Sequence, residues 1–77
     1  MSRQTVDARN LLCPLPVIRT QDAAAQCMPG DELQVLCTDP GALHDIPAWC
    51  RMFGHSVIEI DQLQRDITIT ICIGGED

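Results

Sequence analysis

Near the end of the 77-residue chain, Ile67, Ile69, Ile71 and Ile73 alternate with Thr68, Thr70 and Cys72. A period of two sends the isoleucines to one side of a strand and the polar residues to the other. Such a strand belongs to a sheet with one covered and one open face, most simply an antiparallel pair. Ser56 to Asp61 supplies its partner, and Gln62-Leu63-Gln64-Arg65-Asp66 is a loop of hairpin length. A covered face needs something to cover it, and the first half of the chain provides two helices.

The first strand is read at Thr5 to Arg9, and the first helix from about Pro14 to Cys27 or Met28. Its apolar side is Val17, Ile18, Ala24, Ala25 and Met28. Pro29-Gly30-Asp31 stops it. Glu32 to Thr38 is the second strand, with Leu33, Val35 and Cys37 on one face. Asp39 and Pro40 then suit an N-cap and a first helical residue. Pro47 predicts a short first turn and a restart, with Asp45 as the new N-cap. Ile46, Trp49, Cys50 and Phe53 form the apolar stripe, and Gly54 ends the helix. The order β-α-β-α-β-β predicts a single α/β (α+β) domain over residues 1–77, with its core at about 5–73. Two helices cover one face of a mixed four-stranded sheet in a two-layer sandwich. The face carrying Thr68, Thr70 and Cys72 is expected to be open, and the last residues, 74–77, to form a frayed tail.

Composition narrows the function. The formal net charge is −6, with five arginines and no lysine. That disfavours direct binding to nucleic acid, which needs a basic surface. No apolar run approaches the length of a membrane span, and residues 1–5 lack the apolar stretch of a secretion signal. A cytoplasmic protein is expected. Five widely spaced cysteines, an odd number, then read as reduced thiols rather than a disulfide scaffold. No Cys-x-x-Cys pair occurs, and His44 and His55 have no metal spacing with any cysteine, so neither a metal nor another cofactor is expected.

One cysteine stands apart. In Cys13-Pro14-Leu15-Pro16 the thiol precedes a helix start stiffened by two prolines. Pro14 suits the first helical position, and the amides left near the sulfur are those of Leu15 and Val17. A helix N-terminus favours thiolate, the form that attacks sulfur, and Arg9 and Arg19 add nearby positive charge. A thiol titrating below the usual range is the expectation. The alternative is that the prolines simply start a helix and Cys13 fills the core. The other cysteines have weaker claims. Cys37 and Cys50 fall on apolar stripes, Cys27 sits at a helix C-terminus, and Cys72 lies on the open sheet face. A lone activated thiol on a domain too small to enclose a substrate suits sulfur exchange completed by a partner.

With these residues the chain resembles the TusA/SirA family of sulfur-carrier proteins. Cys13-Pro14-Leu15-Pro16 is similar to that family's Cys-Pro-x-Pro signature. A second segment also matches: Thr38-Asp39-Pro40, Asp45-Ile46-Pro47, Trp49-Cys50 and Gly54-His55. The resemblance implies a fold like the C-terminal domain of a bacterial translation initiation factor. It also implies a sulfurtransferase of the carrier type, with a persulfide on Cys13. Sulfur would come from a cysteine desulfurase or a rhodanese. It would go to an acceptor such as a DsrE-type protein, in tRNA thiolation, cofactor supply or sulfur oxidation. By position, Pro14 and Pro16 shape the loop of Cys13, and Asp39 caps the second helix beside it. Leu15 stands where some relatives carry an acidic residue, and Arg19 is what remains of a more basic helix. With Leu12, Leu15 is either an apolar docking spot or part of the core. A non-catalytic interaction or regulatory module is the competing function.

Overall fold

A computed structural model describes residues 2–74. Its elements are β1 (Arg3–Ala8), α1 (Leu15–Ala24), β2 (Glu32–Cys37), α2 (Ala42–Phe53), β3 (Ser56–Leu63) and β4 (Asp66–Cys72). The sheet order is β1-β2-β4-β3. β1 and β2 pair in parallel, and both β2 and β3 pair antiparallel to β4. The expected mixed sheet and two-layer sandwich are therefore present. The helix crossover makes β1 and β2 parallel, so both helices start at the carboxyl ends of these strands. That shared end carries Cys13.

The isoleucine alternation sets the core. Ile67, Ile69 and Ile71 pack with Leu33, Val35 and Cys37 of the neighbouring strand and with Ala42, Ile46, Trp49 and Cys50 of α2. Register explains the exact match of faces: Leu33 lies opposite Ile71, Val35 opposite Ile69 and Cys37 opposite Ile67. The other face is less open than expected. Thr70 is buried, and Thr68 and Cys72 are half-buried. The central position of β4 places Thr70 between Gln34 and Glu59 of the flanking strands.

Several boundaries differ from expectation. α1 ends at Ala24, and Gln26 and Cys27 donate three residues back in a tightened final turn. Its inner side is Pro16, Val17, Thr20, Ala23, Ala24 and Cys27, while Ile18 and Met28 are exposed. Thr20 can be buried because its hydroxyl donates to the Pro16 carbonyl at 2.8 Å. α2 has no restart at Asp45. It runs unbroken through Pro47, which forgoes one bond to the Leu43 carbonyl. Burial of Ile46, Trp49 and Cys50 on a single stripe favours continuity over a break. Phe53 is exposed and leans on Trp49 at 5.9 Å rather than entering the core.

The β3–β4 connection is a two-residue turn, Gln64-Arg65, not a five-residue loop, with Gln64 at φ 58°. Gly54 caps α2 in the left-handed region, as expected. Gly74, expected to fray, is fixed: its N–H donates to His55 Nδ1 at 3.0 Å, and a Cβ there would strike the Gly54 carbonyl oxygen. Residues 75–77 of the expected tail lie outside the described residues. No helix among the described residues is long and apolar enough to cross a membrane.

Candidate functional site

Cys13 is the one exposed cysteine of the five; Cys27 and Cys72 are half-buried, and Cys37 and Cys50 are buried. The core-filler reading of Cys13 is thereby excluded. The Cys13–Pro14 peptide bond is cis. Pro14 is the N-cap of α1, not its first helical residue; Leu15 is first and Pro16 second. Pro16 is buried and anchors the loop from below.

The expected source of thiolate stabilisation is missing. Leu15 N–H donates to the Leu12 carbonyl at 2.9 Å, and Val17 N–H to the Pro14 carbonyl at 3.1 Å. Neither amide is free for the sulfur. Of the two arginines expected nearby, Arg9 is engaged elsewhere. Arg9 forms a two-pronged pair with Asp7 at 2.9 and 3.0 Å, and the charge of Arg19 is likewise felt at Asp7. Asp7 is held down at about 2 by that pairing with Arg9.

The sulfur turns instead to the start of α2. Cys13 Sγ donates to Asp45 Oδ2 at 2.8 Å, and an added Cβ on Gly41 would lie 2.8 Å from the sulfur. The Cys13 N–H donates to Asp39 Oδ2 at 3.0 Å, and Asp39 Oδ1 accepts from the Gly41 N–H at 3.3 Å. Asp39 is therefore not the N-cap of α2, a place held by Gly41. It ties the thiol loop to the segment leading into that helix. The Cys13 N–H bond, first among its contacts, holds its carboxyl below the usual range. The α2 amides are committed too: Ala42 donates to Asp39 O, Leu43 to Pro40 O, and His44 and Asp45 to Gly41 O.

A thiol between two carboxylates, with no free amide, is held protonated. The hydrogen bond to Asp45, partial loss of water and the Asp39 contact push Cys13 up to about 12. This overturns the expectation of an acidic thiol. Asp45 and Gly41 are the site residues that the sequence did not single out for this role. Asp45 lies 32 positions from Cys13, and only the fold brings them together.

Leu12 and Leu15 are 73% and 43% exposed, which removes the core alternative for that pair. Together with Ile18, 46% exposed, they give the thiol loop and the outer side of α1 an apolar character. An open groove of about 620 Å³ runs beside the loop, lined by Leu12, Asp39, Pro40 and Arg65 among others. Among the described residues no cluster of three or more His, Cys, Asp or Glu side chains could hold a metal ion.

Fold and site define a small two-layer α/β protein that presents one thiol on a proline-stiffened loop. The family model described as "Sulfurtransferase TusA" matches residues 4–73, and the chain belongs to that family of sulfur carriers. It is 39% identical over 71 residues to a Neisseria meningitidis serogroup A protein provisionally named a sulfur carrier, covering 92% of this chain and 96% of that one. It is 39% identical over 54 residues to the sulfur carrier protein TusA of Pseudomonas aeruginosa PAO1, covering 70% and 68%. The crystal structure of a SirA-like protein from Desulfitobacterium hafniense superposes with a TM-score of 0.81 at 26% identity, covering 94% of this chain and 99% of that one.

Proposed function

We propose that residues 5–73 act as one carrier unit that takes a sulfane sulfur onto Cys13 as a persulfide and hands it to an acceptor protein in the cytoplasm. The observation that carries this reading is the placement of the motif cysteine. It is the exposed thiol, on a rigid loop with apolar Leu12 and Leu15 beside it. In the loading step the Cys13 thiolate attacks the outer sulfur of a donor persulfide. A new S–S bond forms at Cys13, the donor's S–S bond breaks, and the donor cysteine leaves as thiolate and takes up a proton. The exchange consumes no external oxidant or reductant. Pro14 and Pro16 fix the loop, Asp39 ties it to α2, and Leu15 bears on partner fit. Arg19 is exposed on α1 and would act there as a surface charge toward a partner. A cysteine desulfurase or rhodanese as donor and a DsrE-type protein as acceptor suit this chemistry. The end uses are tRNA thiolation, cofactor supply or sulfur oxidation.

Incubation with a cysteine desulfurase and cysteine, followed by intact-mass measurement, tests the reading. Wild type should gain about one sulfur atom (~32 Da), reversed by dithiothreitol, and Cys13→Ala should gain none. Equal loading of Cys13→Ala would refute it.

A further inference from the structure

The loading step needs a thiolate, and the groups that bear on the sulfur do not favour one. Asp45 accepts a hydrogen bond from Sγ at 2.8 Å, and Asp39 holds the adjacent backbone N–H at 3.0 Å. The nearest amides of both helices are spent on carbonyls. Arg9 is bound to Asp7 and Arg3 to Glu32. The charged groups that bear on the sulfur are Asp45 and Asp39, both negative.

We infer that Asp45, assisted by Asp39, locks the resting Cys13 thiol in its protonated form, and that a cationic side chain from the docking partner releases it. The inference rests on the reading of Cys13 as the sulfur-bearing residue. Positive charge placed against the two carboxylates weakens the hold of Asp45 on the S–H and lowers the energy of the thiolate together. The proton passes to solvent, the freed thiolate attacks the outer sulfur of the donor persulfide, and the donor thiolate leaves. The lock keeps an exposed thiol unreactive toward oxidants and stray electrophiles while no partner is bound. Asp39 lines the open groove beside the loop, and Asp39 and Asp45 are both only half-buried, so the carboxylates are within reach.

Iodoacetamide, a neutral electrophile, reads the lock without sulfur transfer. At pH 7.5 and low salt, peptide mapping should show Cys13 alkylated roughly 30-fold or more slowly than glutathione. Asp45→Asn, which keeps the size and the contact, should react at least ~10-fold faster than wild type. Hexa-arginine at millimolar concentration should speed wild type several-fold and leave an Asp39→Asn/Asp45→Asn double variant unchanged. Circular dichroism should show the variants folded, because neither carboxylate belongs to the core. A wild-type Cys13 as reactive as glutathione, or an Asp45→Asn rate equal to wild type, overturns the lock. A fast Asp45→Asn variant with a wild type indifferent to hexa-arginine overturns the release by charge. None of these readouts involves persulfide. The Cys13→Ala loading experiment can therefore fail while the lock holds, and the lock can fail while loading remains confined to Cys13.

Discussion

Cys13 and Cys50 are both held protonated, and for opposite reasons. Cys13 is exposed at the meeting of two helix starts and is pushed up to about 12, first by the Asp45 carboxylate. Cys50 is 1% exposed on the inner side of α2 and is pushed up to about 11 by burial. A thiol masked by burial becomes reactive only when the fold opens. A thiol masked by charge becomes reactive when the charge is answered, with the fold intact. That difference separates a structural cysteine from one that can be switched, and direct measurements can break it.

The largest effect should come from pH. For Cys13 the sign is that of an acid whose folded-state value is raised: the protonated thiol is favoured, and thiolate forms only as pH climbs toward 12. Its alkylation rate should still rise about tenfold between pH 9.5 and 10.5, where a free thiol of pKa ~8.5 has levelled off. Cys50 should remain unmodified throughout while the protein is folded. A plateau for Cys13 by pH 9.5 would show that the carboxylates do not control it.

Replacement by serine sharpens the contrast on stability. Cys50→Ser buries a hydroxyl among Ile46, Trp49 and the sheet isoleucines and should cost about 1–3 kcal/mol, read as a lower urea midpoint. Cys13→Ser keeps a donor facing Asp45 in an exposed position and should change stability by less than ~0.5 kcal/mol. Equal losses at the two positions would mean that Cys13 is a packing residue after all.

The sequence carried the sheet more plainly than the site. The isoleucine alternation in β4 and the Leu33, Val35, Cys37 alternation in β2 state a face directly, because strand periodicity depends only on neighbours two apart. The side of α1 was harder to read, since Thr20 is polar in composition but apolar in effect once its hydroxyl bonds back to Pro16. The motif marked Cys13 correctly as the exposed thiol. Its electrostatics were not legible, for two reasons. Helix-end amides favour a thiolate only when they are free, and here Leu12 and Pro14 carbonyls consume them. The decisive neighbour, Asp45, reads locally as a helix cap and reaches the sulfur only through the packing of α2 against the thiol loop.

Salt gives the smallest and most discriminating effect. At ~0.01 M ionic strength charges interact over about 30 Å, and at 1 M over about 3 Å. The direct bond from Cys13 to Asp45 at 2.8 Å is within the shorter range and should persist. Asp39, whose carboxylate holds the backbone rather than the sulfur, and the wider acidic surface of this chain of net charge −6 should be screened. Raising sodium chloride from 10 mM to 1 M should therefore speed Cys13 alkylation only about two- to threefold. In Asp45→Asn the screened contributions, Asp39 and the wider acidic surface, are still present, so the acceleration by salt should be of similar size. Cys50, masked by burial, should show none. An acceleration of Cys13 above tenfold would assign its masking to the diffuse field of the surface and not to the Asp45 hydrogen bond. An equal salt response at Cys50 would mean that salt acts by loosening the fold, and the distinction between the two thiols would no longer hold.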